Sequence, residues 1–323
     1  MYDIITVGSG TEDVFVKTKN PEIITKNNVH EVCYPIGTKI IVDDIYFSTG
    51  GGGTNTATSF SRLGLNTAYL GKVGDDKTGR RLLSDLKDEN VEFIGKKDKK
   101  GKTGYSVILI GLEKDRTILN FKGVANELRK NEINLKNMKT KWFYFSSLMG
   151  ESFETMKRIA SFAKKNNIKY AFNPSSYCTK KGLKYIKNIA EGCDILIMNK
   201  EEASQLVGKS SINLMLKKLQ QHCKIAIITD GKKGAYAYNG IEKYTVNPRK
   251  IKVIETTGAG DSFGAGVTAG AIKNKSLEDC LKLGQLNAES VLGDIGAKNN
   301  LITKTVAEKL LKTNRIKVKK EAI

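Results

Sequence analysis

The chain has 323 residues and a formal net charge of +20, from 54 lysines and arginines against 34 aspartates and glutamates. Its basic residues are scattered rather than gathered into an arginine-rich block, which favours a solvated surface over a nucleic-acid interface. Five cysteines without C-x-x-C spacing and only two histidines argue against a Cys/His metal site, and no apolar run approaches the roughly 20 residues of a membrane span.

The first residues enter a strand pattern at once and lack the basic region and cleavage site of a signal peptide. Cysteines without a disulfide pattern are expected to be buried, reduced thiols. We therefore expect a cytoplasmic protein with no membrane partner. Three lysines between positions 317 and 320 close the chain, and we predict a solvated tail there.

Short apolar runs alternate with amphipathic segments along the chain. The runs predicted as buried strands are 4–7, 67–70, 142–145, 170–172, 195–198 and 225–229. The segments predicted as helices are 54–63, 79–90, 153–166, 200–206, 214–221 and 277–292. This alternation predicts one α/β domain over residues 1–323, with a mainly parallel central sheet between two helical layers and a ligand site beyond the strand carboxyl ends.

Two segments interrupt the alternation, at about 14–47 and 103–121. Both have the pattern of β-hairpins without helices, and the second contains a turn near 113–115. We expect the two inserts to pair into one small sheet that acts as a lid over the substrate. The alternative is a pair of unrelated surface hairpins.

A glycine-rich stretch, TTGAGDSFGAG at 256–266, places one acid, Asp261, after three small residues. The pattern predicts a tight turn that opens a helix, and a helix N-terminus suits an anion. An acid beside a bound phosphate is explained if it takes a proton from a hydroxyl that attacks the phosphorus. The alternative is an aspartate that merely caps the helix.

A second glycine-rich stretch, GGGGTNTATSFSRLG at 50–64, places Asn55 at the start of a predicted helix. Two further motifs lie between the glycine-rich stretches, N-K-E-E at 199–202 and T-D-G-K-K-G at 229–234. In this order the four motifs resemble the pfkB family of carbohydrate and nucleoside kinases, with the ribokinase-like fold. The resemblance extends from Gly8 to about Asn300.

The resemblance implies a kinase that transfers the γ-phosphate of ATP to a hydroxyl of a ribose-like sugar or a nucleoside. By resemblance, Asp261 is the catalytic base, and the backbone N–H groups of Gly258, Ala259 and Gly260 form the anion hole. One alternative is a phosphosugar kinase of the fructose-6-phosphate or ribose-phosphate type. Another is a non-catalytic protein on the same fold that senses nucleotide or binds polyanions.

The remaining site residues follow from the same resemblance. The residues expected to bind the acceptor are Asp13, Gly51, Gly52, Asn55, Ser147 and Asn173, with Lys39, Arg116, Lys122 and Asn126 as further candidates. Gly52 stands where ribokinase-like members often have lysine. The residues expected to bind nucleotide are Asn199, Thr229, Gly231, Gly234 and Asn287, with Glu202 helping to hold Mg²⁺ through water.

Two positions depart from the family pattern. Glu255 stands where the second motif commonly begins with an aspartate that belongs to a monovalent-cation site. The segment 296–300 resembles the other half of that site, but Asn300 replaces a common serine. Glu255 is thus a candidate K⁺ ligand, and the departures put a K⁺ requirement in question. The resemblance also implies a homodimer formed through the lid.

Overall fold

Two sheets of different character organise the computed structural model, which describes residues 1–18, 22–26, 29–110, 116–313 and 316–323. The turn predicted near 113–115 lies outside the described residues. The strands are β1 Tyr2–Val7, β2 Thr11–Thr18, β3 Glu22–Lys26, β4 Val29–Cys33, β5 Val42–Gly50, β6 Thr67–Leu70, β7 Lys72–Gly74, β8 Val91–Phe93, β9 Lys96–Asp98, β10 Gly104–Ile110, β11 Arg116–Phe121, β12 Thr140–Phe145, β13 Lys169–Phe172, β14 Cys193–Asn199, β15 Cys223–Thr229, β16 Ala235–Tyr238, β17 Glu242–Val246 and β18 Val318–Ala322.

The helices connect these strands and cover the larger sheet. They are α1 Gly52–Arg62, α2 Lys77–Asp88, α3 Gly150–Lys165, α4 Ser176–Lys180, α5 Leu183–Ala190, α6 Lys200–Val207, α7 Ile212–Gln220, α8 Ala259–Ile272, α9 Leu277–Val291 and α10 Lys304–Thr313. None of the described helices is both long and apolar enough to cross a membrane.

The larger sheet has the order β18-β17-β16-β15-β14-β13-β12-β1-β6-β8 within the described chain. The seven strands from β8 to β15 are parallel, and β16, β17 and β18 extend the sheet antiparallel. The six predicted strands are all present in the parallel part. Their near-continuous apolar runs suit strands that are buried on both faces.

Successive side chains of each parallel strand point into the two hydrophobic cores on opposite faces of the sheet. Ile5 and Phe143 pack toward α3, α5 and α7 on one face, whereas Ile4 and Trp142 pack toward α1, α8 and α9 on the other. The predicted three-layer α/β/α fold is therefore confirmed. Both cores hold the strands rigidly, so the loops at the strand ends are the places available for a site.

The smaller sheet has the order β11-β10-β2-β5 and combines residues from both predicted inserts. β2 follows β1 after three residues, so this sheet grows directly from the carboxyl edge of the larger one. The apolar side chains exposed on it include Val42, Ile45, Phe47, Ile118, Leu119 and Phe121. Strands from both inserts thus share one sheet, whereas β3 and β4 of the first insert pair with each other separately. By register, Ile45, Phe47, Leu119 and Phe121 lie on one face of the shared sheet, and its action as a lid stays a prediction.

Several elements were absent from the sequence-based prediction. They include the helices α4, α5 and α10 and the strands β16 to β18. The three lysines predicted as a solvated tail are exposed, but Lys319 and Lys320 lie in the edge strand β18 paired with β17 rather than in a tail. Lys319 forms a 2.8 Å ion pair with Glu321, so backbone pairing and local charge order this segment.

Candidate active site

The carboxyl edge of the parallel strands gathers most of the predicted site residues. Asp13 and Asn55 follow β1 and the first glycine-rich turn, and Asp261 lies in the first turn of α8. Residues at the ends of the neighbouring parallel strands complete the edge: Ser146 and Ser147 after β12, Asn173 after β13, Asn199 at the end of β14 and Thr229 at the end of β15. A ligand bound along this edge would touch several strand ends at once.

The N-terminus of α8 is open to a ligand. Its N-cap is Gly258, with a left-handed φ of 81°, and among the described residues no side chain caps the helix. A Cβ at Gly258 would lie 2.6 Å from Ala297, whereas one at Gly260 would meet no described atom within 4 Å. Helix α9, by contrast, is capped by Ser276. The Ala259 N–H makes one long hydrogen bond, 3.4 Å, to the Thr256 carbonyl oxygen, and this uncapped helix start suits an anion.

Asp261 is tied to α1 by one hydrogen bond. Asn55 Nδ2 donates to Asp261 Oδ2 over 2.9 Å. Loss of water around the half-buried carboxyl raises the pKa of Asp261 above its ordinary value; the Asn55 hydrogen bond opposes this rise, and the Asp13 charge adds to it. A carboxylate with a raised pKa is a better proton acceptor than an exposed one.

Asp13 forms a second acidic group on β2 in the same region. It is buried, accepts a 2.9 Å hydrogen bond from Thr11 Oγ1, and lies so near Gly50 that a Cβ there would be 1.9 Å from Asp13 Oδ2. Burial raises the pKa of Asp13, while hydrogen bonds from Ser106 and Thr11 oppose that rise. The carboxylate therefore has few protein donors and can accept hydrogen bonds from ligand hydroxyls.

The turn before α1 completes this wall. The left-handed Gly51 has a φ of 96° and touches Ser9, where a Cβ would be 2.6 Å from the carbonyl oxygen. A Cβ at Gly52 would be 2.0 Å from Ser146 Oγ and 3.4 Å from Asp261 Oδ1. Asn55 Oδ1 is buried without a hydrogen-bond partner in the described chain. An unpaired buried acceptor at this point is costly unless a ligand donates to it.

Ser147 and Asn173 are near the site without contacting Asp261. Ser147 Oγ donates to Ser175 Oγ over 2.6 Å, and Asn173 Nδ2 donates to Tyr144 Oη over 3.4 Å. Tyr144 underlies α8, because a Cβ at Gly264 would be 2.2 Å from its hydroxyl. Burial raises the pKa of Tyr144, and the charge of Asp261 raises it further. Asn173 therefore supports the floor beneath Asp261.

The predicted nucleotide side lies two strands further along the edge. Asn199 and Thr229 are register partners on β14 and β15. Asn199 Oδ1 accepts from the backbone N–H of Glu202 over 2.8 Å, and Glu202 Oε2 accepts from that of Asn199 over 3.0 Å, which forms a capping box. Ser176 donates to Glu202 Oε1 over 3.1 Å. Glu202 is therefore oriented by protein donors on both oxygens.

The turn after β15 combines a packed and an open glycine. A Cβ at Gly234 would be 2.0 Å from the Val246 carbonyl oxygen, whereas one at Gly231 would meet no described atom within 4 Å. Lys200 joins this turn to α6 through a 3.0 Å ion pair with Asp230. In the described residues no three His, Cys, Asp or Glu side chains are grouped to hold a metal ion, so any cation here would keep most of its water ligands.

Asn287 differs from the other predicted nucleotide contacts. It is 0 % exposed and its Nδ2 donates to Ser59 Oγ and to the Ser262 carbonyl oxygen, both over 2.8 Å. These bonds join α9 to α1 and α8. Asn287 therefore contacts no nucleotide in this conformation, because its polar atoms are enclosed between three helices.

Glu255 and Arg116, predicted as a cation ligand and a substrate contact, form an ion pair with each other. Arg116 Nη1 lies 2.8 Å from Glu255 Oε1 and also contacts Thr256 Oγ1. Lys39 is exposed, and Lys122 is half-buried. Burial lowers the pKa of Lys122, and the Asp13 charge opposes that effect. Of these basic candidates, Lys122 is therefore the one whose charge faces Asp13.

Three residues of the site were missed from the sequence. Ser146 packs against Gly52, and Tyr144 lies in the floor below Asp261. Thr11 donates a hydrogen bond to Asp13. The sequence carries a signal for Ser146, since it is the first polar residue after the buried run of β12. Tyr144 carries none, because it lies inside that run and resembles any core aromatic residue.

Comparisons with known proteins agree with this geometry. The model of the family described as pfkB family carbohydrate kinase matches residues 24–304. An uncharacterized sugar kinase of Archaeoglobus fulgidus is 30% identical over 248 residues, which cover 75% of this chain and 97% of that protein. An ATP-dependent 6-phosphofructokinase of Thermoanaerobacterium thermosaccharolyticum is 29% identical over 259 residues, 77% of this chain and 80% of that protein.

Solved structures show the same fold. Arabidopsis thaliana ribokinase, complexed with ribose and ATP, superposes with a TM-score of 0.81 at 20% identity and covers 97% of this chain and 99% of its own. The family match extends over most of the chain and includes Asn55, Asn199 and Asp261. The chain therefore belongs to the pfkB family of carbohydrate kinases and is an ATP-dependent phosphotransferase of the sugar and nucleoside kinase class.

Proposed function

We propose that the protein phosphorylates a hydroxyl of a sugar, either free and ribose-like or within a nucleoside, with Asp261 as the catalytic base. The observation that carries this proposal is the 2.9 Å hydrogen bond from Asn55 to Asp261 beside the uncapped start of α8. A proton acceptor then lies in the first turn of a helix whose N-terminus has no side-chain cap among the described residues. Phosphoryl transfer needs this combination of positioning and fixed dipoles.

The roles follow from the chemistry of each group. The acceptor hydroxyl gives its proton to Asp261 as its oxygen forms a bond to the γ-phosphorus, and the bond from that phosphorus to the leaving oxygen breaks. The N–H groups of Gly258, Ala259 and Gly260 stabilise negative charge on the phosphoryl oxygens. Because Asn55 holds one oxygen of Asp261, the other stays free to accept the proton.

The nucleotide would be held along the strand ends. The residues we propose to contact it are Asn199, Thr229, Gly231 and Gly234, because Asn199 and Thr229 end neighbouring strands and Gly231 has open space beside it in the turn that the packed Gly234 closes. Mg²⁺ neutralises phosphate charge when bound and keeps most of its waters. Glu202 would orient one of these waters, since its carboxylate is fixed by Ser176 and Asn199.

The acceptor class follows from the polarity of the pocket wall. Asp13 presents carboxylate oxygens, and Asn55 presents a buried oxygen without a partner among the described residues. A ligand with adjacent hydroxyl donors satisfies both. This favours a sugar diol over an acceptor with a single hydroxyl, and Gly51 and Gly52 would let the ring approach the backbone.

A phosphosugar acceptor is the second candidate. Lys122 is half-buried near Asp13, where burial lowers its pKa, and a buried lysine gains a partner if a phosphate binds beside it. The 6-phosphofructokinase relative has such a substrate. A binding-only protein is a weaker alternative, since the proton acceptor and the free N–H groups have no use in it.

We also propose that the small sheet is a lid and that two chains dimerise through it. The exposed apolar side chains on β5 and β11, such as Phe47 and Leu119, would be covered by a second copy. The five free thiols support a reducing, cytoplasmic setting. A strictly monomeric mass at micromolar concentration would overturn the dimer without affecting the chemistry.

The acceptor is tested with the purified full chain, ATP and Mg²⁺ against a panel of sugars, sugar phosphates and nucleosides. ADP release identifies substrates, and mass spectrometry of the product identifies the new phosphate ester. We expect turnover with a free pentose, a free hexose or a nucleoside. Turnover restricted to phosphorylated sugars would instead support the second candidate.

Asp261→Asn and Asp279→Asn form a matched pair for the base. Both residues lie in the first turn of a helix, but Asp279 is on α9 away from the site. We expect Asp261→Asn to lower kcat by about 10²–10⁴-fold and Asp279→Asn to keep it. Comparable rates for the two variants would exclude Asp261 as the base. Polyanion binding on heparin that is lost in salt, with no acceptor turned over, would favour the binding-only alternative.

A further inference from the structure

The turn that precedes the proposed anion hole is fixed by a side chain from the small sheet. Arg116 is the first residue of β11, and Glu255 and Thr256 lie just before Gly258. Arg116 Nη1 donates to Glu255 Oε1 over 2.8 Å and also contacts Thr256 Oγ1. The Arg116 side chain is 27% exposed and that of Glu255 10%, so the pair is largely removed from water.

Glu255 is also bound by its own turn. Thr257 donates to Glu255 Oε1 twice, from its backbone N–H over 2.8 Å and from its hydroxyl over 2.6 Å. Three donor groups therefore converge on one carboxylate oxygen. This arrangement bends the chain between Glu255 and Gly258, and Gly258 then begins α8 against Ala297.

A monovalent cation, which the family resemblance implies at this place, does not fit these residues. Glu255 Oε1 already accepts from the guanidinium and from Thr257. Glu255 Oε2 is buried and lacks a partner in the described part of the chain, so a cation would have to bind there. Only the Glu255 carboxylate would then separate the cation from the Arg116 guanidinium, and the two positive charges would repel each other.

We infer that the Arg116 guanidinium supplies, as part of the protein, the positive charge that a monovalent cation would otherwise supply beside the anion hole. This inference rests on the proposed phosphotransfer function. Arginine suits the role because it is charged at every working pH, and here its Nη1 reaches both Glu255 and Thr256. Arg116 is a positioning residue, since it acts through the turn that carries Gly258, Ala259 and Gly260.

This assignment has two consequences. The protein needs no K⁺ for stability or for turnover. The anion hole is also ordered only while β11 holds Arg116 in place, so the position of the small sheet sets the shape of the phosphate site.

The test compares Arg116→Met, Arg116→Lys and a matched control, Arg80→Met. Arg80 also forms an ion pair, with Asp75, but both side chains are about half exposed and lie on α2 and in the loop before it. The full chain is studied in KCl, NaCl and choline chloride at one ionic strength. The two readouts are the midpoint of thermal unfolding and the rate of ADP formation with the acceptor identified above.

For the wild type we expect the same midpoint and the same kcat in all three salts. Arg116→Met should lose roughly 10–100-fold in kcat in choline chloride, as is usual when a supporting contact to a charged site is removed. KCl or guanidinium chloride at low concentration should restore part of that loss and raise the midpoint of this variant alone. Arg116→Lys should keep more activity than Arg116→Met, and Arg80→Met should behave as wild type.

A wild-type chain that K⁺ specifically stabilises or activates would overturn the inference, and this measurement needs no variant to fold. The inference would also be overturned if Arg116→Met and Arg80→Met had the same unfolding midpoint and the same rate of ADP formation. Failure of the proposed function is distinguishable, because no acceptor would then be phosphorylated by wild type. The salt dependence of the unfolding midpoints would still test the role of Arg116.

Discussion

The two glycine-rich turns begin their helices in the same way but have opposite surroundings. Gly51 and Gly258 are both N-cap residues with positive φ, 96° and 81°, and no described side chain caps either helix. Gly53 and Gly260 are each the second residue of the helix that follows. The glycines therefore occupy the same helix positions in the two turns, although the N-cap backbones differ, with ψ of 135° at Gly51 and −6° at Gly258.

The difference lies in what surrounds the second residue. A Cβ at Gly53 would be 2.7 Å from the carbonyl carbon of Gly8, whereas a Cβ at Gly260 would meet no described atom within 4 Å. In the first turn glycine is required because another part of the backbone touches it. In the second it leaves room above the helix for a ligand. Glycine at the same helix position thus serves packing in the first turn and leaves an open space in the second.

The largest expected effect comes from Asp261→Asn in the open turn. General-base catalysis contributes about 10²–10⁴-fold, so we expect a loss of that order in kcat. The pKa of Asp261 is raised in the folded state by removal from water, and the Asp13 charge adds to the rise. The stabilising contribution of the protonated form is thus present below the unfolded pKa and is lost as the pH rises through the folded pKa.

At neutral pH the ionised Asp261 therefore destabilises the folded chain, and the neutral asparagine should raise the unfolding midpoint. This gain in the unfolding midpoint should shrink as the pH falls toward the ordinary pKa of an aspartate. Thermal unfolding at several pH values, followed alongside kcat, measures both effects. A variant that is less stable than wild type at neutral pH would show that the carboxylate is needed by the fold.

The next effect contrasts Gly53→Ala with Gly260→Ala. Gly53 is enclosed by backbone atoms that cannot move aside, so alanine there should cost about 1–3 kcal/mol of unfolding free energy. Gly260 has no positive φ, so alanine should raise the unfolding free energy by about 0.4–1 kcal/mol. Its methyl group would enter the space for phosphate and raise KM for ATP. Denaturant unfolding and initial rates check the opposite signs, and equal losses of stability would remove the distinction between the turns.

The sequence was sufficient for features that depend on local pattern. Asp261 and Asn55 were predicted as site residues, and the structure joins them although 206 positions separate them. The ion pair of Arg116 with Glu255 was not predicted, because it joins the small sheet to the loop before α8 across 139 positions and neither neighbourhood signals the other. Asn287 was predicted to bind nucleotide from its place in the chain, and that place does not reveal that three helices enclose its side chain.

A smaller effect is expected from Asn55→Ser, which removes the link between the two turns. The Asn55 hydrogen bond lowers the pKa of Asp261, so its loss should raise that pKa further. The acid limb of kcat/KM should therefore move to higher pH, because the base must be ionised to accept the proton. KM for the acceptor should also rise, since Asn55 Oδ1 is a proposed hydroxyl acceptor. The control is Asn166→Ser, which removes a 2.8 Å hydrogen bond to the Phe162 carbonyl oxygen at the exposed end of α3 and should leave the limb in place.

The smallest effect concerns the turn after β15, where Gly234 is packed and Gly231 has open space beside it. Lys200 holds this turn to α6 through Asp230 over 3.0 Å, with its own side chain 42% exposed. Exposed pairs contribute about 0–1 kcal/mol, so Lys200→Met should raise KM for ATP by no more than about fivefold and leave kcat unchanged.

The matched control is Lys187→Met, which removes an exposed pair with Glu191 at the end of α5 and should change neither constant. Because salt screens such pairs, the difference between the two variants should fade as ionic strength rises. A fall in kcat for Lys200→Met would mean that this turn takes part in the chemical step, and that an open glycine marks catalysis there as it does at Gly260.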